Sequence, residues 1–122
     1  MKDILNKRLK PEELEIIEFK GTEEPFTGLY DTLFEEGVYV CRRCSEPLYE
    51  SDSKFDSGCG WPSFDDELQG AVTRKIDADG RRIEILCAAC GAHLGHIFTD
   101  GPQPTGLRYC LNSVSLDFVK KP

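Results

Sequence analysis

Long apolar runs are missing from this chain. Nothing in it approaches the roughly 20 consecutive apolar residues needed to cross a bilayer, so a membrane helix is excluded and no membrane partner is expected. Positive charge is also in short supply: 15 Lys and Arg stand against 22 Asp and Glu, a formal net charge of −7. No broad basic face can be assembled to neutralise phosphates, which argues against nucleic acid as a partner. The opening stretch MKDILNKRLK is too charged for the apolar core of a secretory signal, which points to the cytoplasm. There is no low-complexity tract, and no internal repeat beyond two Cys-x-x-Cys pairs. A length of 122 residues reads as one domain, 1–122, expected as a monomer and small enough to gain from a staple.

What the chain does have is cysteine, six in all. Four form the pairs Cys41-x-x-Cys44 and Cys87-x-x-Cys90. Cysteines at that spacing present both sulfurs to one centre from a tight turn, and two such knuckles supply the four thiolates of a tetrahedral Zn2+ site. In a reducing compartment such pairs are metal ligands or redox centres more often than structural disulfides. Two copies, with no Trp-Cys-Gly-Pro context, favour a shared structural zinc over a redox pair. The long insert between Cys44 and Cys87 means that the metal would join distant parts of one fold. A closed four-thiolate shell leaves no position for water or substrate, so the ion would stabilise and not catalyse; His93 and His96 as substitute ligands are the weaker reading.

Pro11 suits a first helical position, and Leu14 and Ile17, with Ile16 and Phe19, suggest a helix that stops near Gly21. Lys10 is a poor N-cap, so that helix depends on docking. From Gly21 to Glu36 the pattern is irregular, and Phe26, Tyr30 and Phe34 suggest a loop that lays its rings on the body. Residues 38–40 form a short strand into the first knuckle. Val72–Ile76 and Arg82–Leu86 flank Asp77-Ala78-Asp79-Gly80, whose Asp-Gly pair predicts a hairpin. Strands are also expected over 94–98 and 109–118, joined by the turn-rich segment from Asp100 to Gly106.

The two remaining cysteines have no local partner. Cys59 lies in SGCGWPSF, between glycines that leave its sulfur free to move. It reads as a thiol in an ordinary glycine-rich loop, or as one half of a redox couple; Trp61 and Phe64 can wall an apolar pocket suited to a thioether. Cys110 follows His93, His96, Asp100 and Arg108 and precedes Asn112. Arg108 shares a strand face with Cys110 and can favour its thiolate, while the two histidines can face one cavity. The plainer reading makes Cys110 buried filler and Arg108 a surface charge.

SGCGWPSF, CAACGAHLGHIFTDGPQPTGLRYCLNS and KGTEEPFTG together resemble the methionine sulfoxide reductase B family over nearly the whole chain. The resemblance implies a mainly β fold, two antiparallel β-sheets with a short N-terminal helical region, stapled by zinc on Cys41, Cys44, Cys87 and Cys90. It implies reduction of methionine-R-sulfoxide in oxidised peptides and proteins. Cys110 matches the nucleophile that becomes a sulfenic acid, and Cys59 the resolving cysteine found in a subset of members, giving a Cys59–Cys110 disulfide that thioredoxin reduces. His96 matches an acid, while His93, Asp100, Arg108 and Asn112 place the sulfoxide oxygen, a water and the thiolate. Trp61 matches the ring that receives the methyl group, with Phe64, His93 and Asn112 also expected against substrate. Ser45 departs from the pattern where glycine commonly follows the first knuckle, and Lys10 replaces a hydroxyl N-cap. A zinc-stapled binding module of similar architecture is the competing reading, one in which a thiol at position 110 has no task.

Overall fold

The computed structural model describes residues 2–77 and 80–121. Among the described residues two short α-helices, α1 (Lys2–Asn6) and α2 (Pro11–Ile17), lead into nine strands. These are β1 (Gly37–Cys41), β2 (Pro47–Glu50), β3 (Lys54–Phe55), β4 (Ser63–Phe64), β5 (Val72–Ile76), β6 (Ile83–Cys87), β7 (His93–Phe98), β8 (Arg108–Leu111) and β9 (Leu116–Lys120). They make two antiparallel sheets, one ordered β2-β1-β9 and one ordered β3-β4-β8-β7-β6-β5. The expected mainly β class with a short helical start is what the chain adopts.

Helix α2 begins as expected at Pro11, and the Glu13 carboxylate accepts the Lys10 backbone N–H at 2.8 Å, closing half of a capping box. It ends earlier than Gly21. Lys20 takes the left-handed backbone conformation, φ 62, and the Gly21 N–H reaches the Glu15 carbonyl at 2.9 Å. Ile17 is buried and Leu14 packs on the core, but Phe19 is 74% exposed, off the stripe assigned to it. The loop after α2 also departs from expectation. Tyr30 lies edge-on to Tyr39 at 5.8 Å, whereas Phe26 is exposed and Phe34 sits under the Lys54 ammonium, 3.9 Å from the ring centre.

The hairpin pairs Val72 with Cys87 through to Ile76 with Ile83. Of its predicted turn, Ala78 and Asp79 lie outside the described residues; Asp77 N–H donates to the Arg82 carbonyl at 2.8 Å. The expected strand over 109–118 is two strands. Backbone pairing to β4 and β7 ends at Leu111, a 3-10 turn occupies Ser113–Ser115, and the chain re-enters the other sheet as β9. Val114, Leu116 and Phe118 alternate with Ser115 and Asp117 as in one strand, but the phase set by Tyr109 and Leu111 breaks at Asn112-Ser113, where the crossover lies.

Two things join the sheets. Aromatic rings from both stack together: Phe64 of β4 lies 4.5 Å from Tyr49 of β2 and 5.1 Å from Tyr39 of β1, and Tyr109 of β8 meets Tyr49 at 5.5 Å. The knuckles are the second junction, since Cys41 ends β1 in one sheet and Cys87 ends β6 in the other. The fully buried Arg43 ties the helices to that junction. It donates to Asn6 Oδ1 at 3.0 Å, Glu18 Oε1 at 2.7 Å and the Cys90 carbonyl at 2.6 Å.

Candidate active site and metal centre

The four knuckle sulfurs all lie within 4.8 Å of one another, with Cys41–Cys90 and Cys44–Cys87 at 3.6 Å. Thiolates about 2.3 Å from a common tetrahedral ion stand about 3.8 Å apart. The residues therefore fit a metal held by four cysteines. Each knuckle closes in the same way: Ser45 N–H donates to the Cys41 carbonyl at 2.7 Å, and Gly91 N–H to the Cys87 carbonyl at 2.8 Å.

Away from this junction, a cleft of about 260 Å³ opens beside β7 and β8. Trp61, His96, Phe98, Arg108, Cys110 and Asn112 are among its walls, with Cys59 beside them. Pairing of β7 with β8 sets His96 opposite Cys110 and Phe98 opposite Arg108, so alternate residues of two adjacent strands face one space. Cys59 comes from the loop between β3 and β4, where Gly58 and Gly60 both take positive φ, 75 and 93. That turn sets its sulfur 3.5 Å from the Cys110 sulfur.

The two thiols differ in acidity. Burial pushes Cys110 up to about 12, helped by the adjoining Cys59 sulfur, and Arg108 pulls the other way without prevailing. Cys59 is also penalised by burial, yet hydrogen bonds led by Ser57 and then Ser63 bring it below the ordinary thiol value. Arg108 does favour the Cys110 thiolate, as expected, but burial and the neighbouring sulfur outweigh it, and of the two thiols Cys59 is the more acidic. Arg108 is held by Asp100, Nε to Oδ1 at 2.9 Å and Nη2 to Oδ2 at 3.2 Å, with its guanidinium 4.4 Å over Phe98.

His96 is in the cleft wall, and its Nε2 lies 2.8 Å from Asp77 Oδ2. His93 is behind that wall and nearly fully buried, its ring edge-to-face with His96 at 5.7 Å and its Nδ1 2.7 Å from Glu84 Oε2. Glu84 in turn receives the Lys20 ammonium at 3.1 Å. Burial, the larger effect, lowers the His93 pKa against the pull of Glu84, so the neutral ring donates Nδ1–H to a carboxylate kept ionised. Its Nε2 is then a buried acceptor without a protein partner. Phe64, expected beside Trp61, faces the other way: it is fully buried among the core tyrosines, because on β4 it pairs with Tyr109 and not with Cys110.

Glu23 was not foreseen. Its backbone carbonyl accepts the Trp61 indole N–H at 3.0 Å, its N–H donates to Asn112 Oδ1 at 3.0 Å, and its carboxylate accepts the Val114 N–H at 3.0 Å. Asn112 spans to β7 through Nδ2, 3.3 Å from the Leu94 carbonyl. Glu23, Glu84, Lys20 and Asp77 were given no part in the site by sequence; the KGTEEPFTG stretch was the available signal for two of them.

Residues 9–120 match the family model described as the SelR domain. The chain belongs to that family. Over 122 residues it is 55% identical to the peptide methionine sulfoxide reductase MsrB of Teredinibacter turnerae, a match covering 98% of this chain and 90% of that protein. Over 113 residues it is 59% identical to the chloroplastic peptide methionine sulfoxide reductase B2 of Arabidopsis thaliana, covering 91% of this chain and 56% of the plant protein. The SelR-domain chain thus spans little more than half of that relative's length. Its fold is also similar to the Mis18 'Yippee-like' domain, with a TM-score of 0.53 at 17% identity over 72% of this chain and 99% of that one. Among the described residues no helix is long and apolar enough to cross a membrane.

Proposed function

We propose that this SelR-domain chain is one catalytic domain, 1–122, that reduces methionine-R-sulfoxide in oxidised peptides and proteins. The observation that carries this reading is the 3.5 Å separation of the Cys59 and Cys110 sulfurs at the wall of a cleft that also holds Trp61. Relatives named peptide methionine sulfoxide reductase are 55% and 59% identical to it over the aligned residues.

Cys110 attacks the sulfoxide sulfur as its thiolate, which the Arg108 guanidinium favours, while Cys59 stands by as the thiol. The sulfoxide oxygen takes a proton from His96 and stays on Cys110 as S–OH; methionine leaves, its sulfur reduced by two electrons and Cys110 oxidised by two. Arg108, fixed by Asp100, and Asn112, fixed by Glu23, line the space for the oxygen, while Trp61 offers an apolar face to the methyl group. Cys59 then displaces the oxygen from Cys110 as water, forming the disulfide, and thioredoxin reduces it by thiol exchange.

The knuckles hold a structural zinc in this reading, bound by Cys41, Cys44, Cys87 and Cys90, which supplies folding energy and no chemistry. We place the chain in the cytoplasm as a monomer, where thioredoxin is available. A zinc-stapled binding module remains the second reading; the paired sulfurs of Cys59 and Cys110 favour the enzyme.

The test is mass spectrometry of a peptide carrying methionine-R-sulfoxide after incubation with the protein and dithiothreitol. Loss of one oxygen is expected, abolished by Cys110→Ser. Cys59→Ser is expected to retain it with dithiothreitol and lose most of it with thioredoxin. No oxygen loss with the wild-type protein would leave the binding module standing.

A further inference from the structure

Neither cysteine explains by itself why the sulfur of a glycine-flanked loop rests so close to a strand residue. Three contacts do. Ser57 Oγ donates to the Cys59 sulfur at 2.9 Å, Ser57 and Ser63 hydroxyls meet at 2.7 Å, and Ser63 Oγ is 3.4 Å from the same sulfur. Ser63 is 1% exposed and belongs to β4, where it stands opposite Cys110 of β8. The mobile sulfur is therefore tied through two hydroxyls to the sheet position that faces its target.

We propose that Ser57 is a catalytic residue of the resolving step and Ser63 its positioning residue, the two hydroxyls stabilising the Cys59 thiolate as it attacks the oxidised Cys110. The inference rests on the sulfoxide-reductase reading above. As Cys59 attacks, its proton leaves with the Cys110 hydroxyl as water, the S–O bond breaks and the S–S bond forms. Negative charge develops on the Cys59 sulfur as its proton departs, and the Ser57 O–H points at that charge. The Ser63 O–H reaches the Trp61 carbonyl at 3.1 Å and the Ser57 oxygen at 2.7 Å; turned to Ser57, it polarises that hydroxyl toward the sulfur.

A hydroxyl suits this task better than a cation. It stabilises the anion by hydrogen bonding but does not hold it permanently, so the sulfur can leave its hydroxyl partner and bond to Cys110. The lowered Cys59 thiol pKa, with Ser57 the leading stabiliser against burial, agrees with the geometry. The other titratable or charged groups that share the cleft with Cys59 are Cys110 and Arg108 of β8, His96 of β7 and Arg82. Among these, Arg108 also attracts a thiolate at either sulfur.

Two measurements test this, one without substrate. In a Cys110→Ser background, the ultraviolet thiolate absorbance of Cys59 is followed against pH. Adding Ser57→Ala is expected to move the titration up by about one unit, and Ser57→Thr to move it back. In single turnover with the sulfoxide peptide, rapid quench with an alkylating reagent separates methionine release from disulfide formation. Ser57→Ala is expected to slow disulfide formation about tenfold or more relative to methionine release, with its pH profile displaced upward; Ser63→Ala shifts both in the same direction by less. An unmoved titration, or equal slowing of the two steps, overturns the assignment. Failure of the wild-type protein to release methionine counts instead against the activity itself, which the thiolate titration does not depend on.

Discussion

Ser45 occupies in the first knuckle the place that Gly91 occupies in the second. Each follows a Cys-x-x-Cys pair, each donates its N–H to the carbonyl of the first cysteine, and each has positive φ, 69 and 76. Only the glycine takes that backbone without strain. A Cβ at Gly91 would meet nothing within 4 Å, and Ser45 is exposed, so the difference between them is the strain of a side chain in this shared backbone conformation and not packing. Ser45→Gly is expected to stabilise the metal-loaded protein by roughly 0.5–1 kcal/mol, the αL strain being partly offset by a freer unfolded chain. Gly91→Ser is expected to cost a similar amount. Urea unfolding of both variants checks the pair, and equal stability of all three proteins would show that the knuckles are not strained at this position.

The knuckles sit where the two sheets meet, so a metal held there would be a junction and not a surface ornament. Cys44→Ser is expected to abolish stoichiometric metal binding and to lower the melting temperature by more than about 10 °C, since structural metal binding is folding free energy. A chelator acting on the wild-type protein should do the same. Metal analysis and thermal unfolding, read by circular dichroism, are the measurements; undiminished melting in a metal-free protein would mean that the aromatic contact between the sheets suffices.

Trp61 and Phe64 are three residues apart and read alike in sequence, as two aromatics able to wall a pocket. They separate in the fold because Phe64 is in a strand whose register turns it toward Tyr39 and Tyr49, while Trp61 precedes that strand and hangs from the Glu23 carbonyl into the cleft. Phe64→Ala is expected to cost about 3–5 kcal/mol of stability. Trp61→Ala is expected to cost much less stability and to raise KM for the sulfoxide peptide. Denaturant unfolding and steady-state kinetics distinguish these outcomes, and a stable Phe64→Ala with raised KM would return that ring to the pocket.

Where a residue's role follows from its covalent neighbours, it could be read without the fold. The metal knuckles, the 72–87 hairpin and the placement of Arg108 two residues before Cys110 are all local, and the structure has them. Strands β3 and β4 have two residues each, too few to show a period, and their place comes from pairing with each other and with β8. Strand β6 misled in another way. Its Ile83 is 39% exposed and its Glu84 1%, the reverse of what polarity suggests, because Glu84 faces His93 and Lys20 brought in from elsewhere in the chain. Buried carboxylates held by distant partners have no local signature, and Glu23, bonded through Oε1 to the Val114 N–H, was missed for the same reason.

That buried arrangement has a pH signature. His93 is neutral in the folded protein, its pKa held below the ordinary 6.5 chiefly by burial, whereas in the unfolded chain it protonates normally. The unfolded state therefore binds more protons as the pH falls through about 6.5, and stability falls with it. The stabilisation is fully present above the unfolded pKa and is lost on acidification. Glu84, whose folded pKa is also lowered, adds a loss of the same sign at lower pH, below the ordinary carboxylate value of 4.5. Unfolding free energy should drop by up to about 1.4 kcal/mol for each pH unit below 6.5 on account of one histidine. His93→Gln, which removes the titrating ring, is expected to flatten the profile between pH 7.5 and 5.5 while lowering stability at pH 7.5 through loss of the hydrogen bond to Glu84. Urea unfolding of the two proteins across that range is the check. A wild-type profile that stays level would mean that the ring is charged against Glu84 in the folded state and that the pair is an ion pair after all; a slope as steep in His93→Gln would assign the titration to another group.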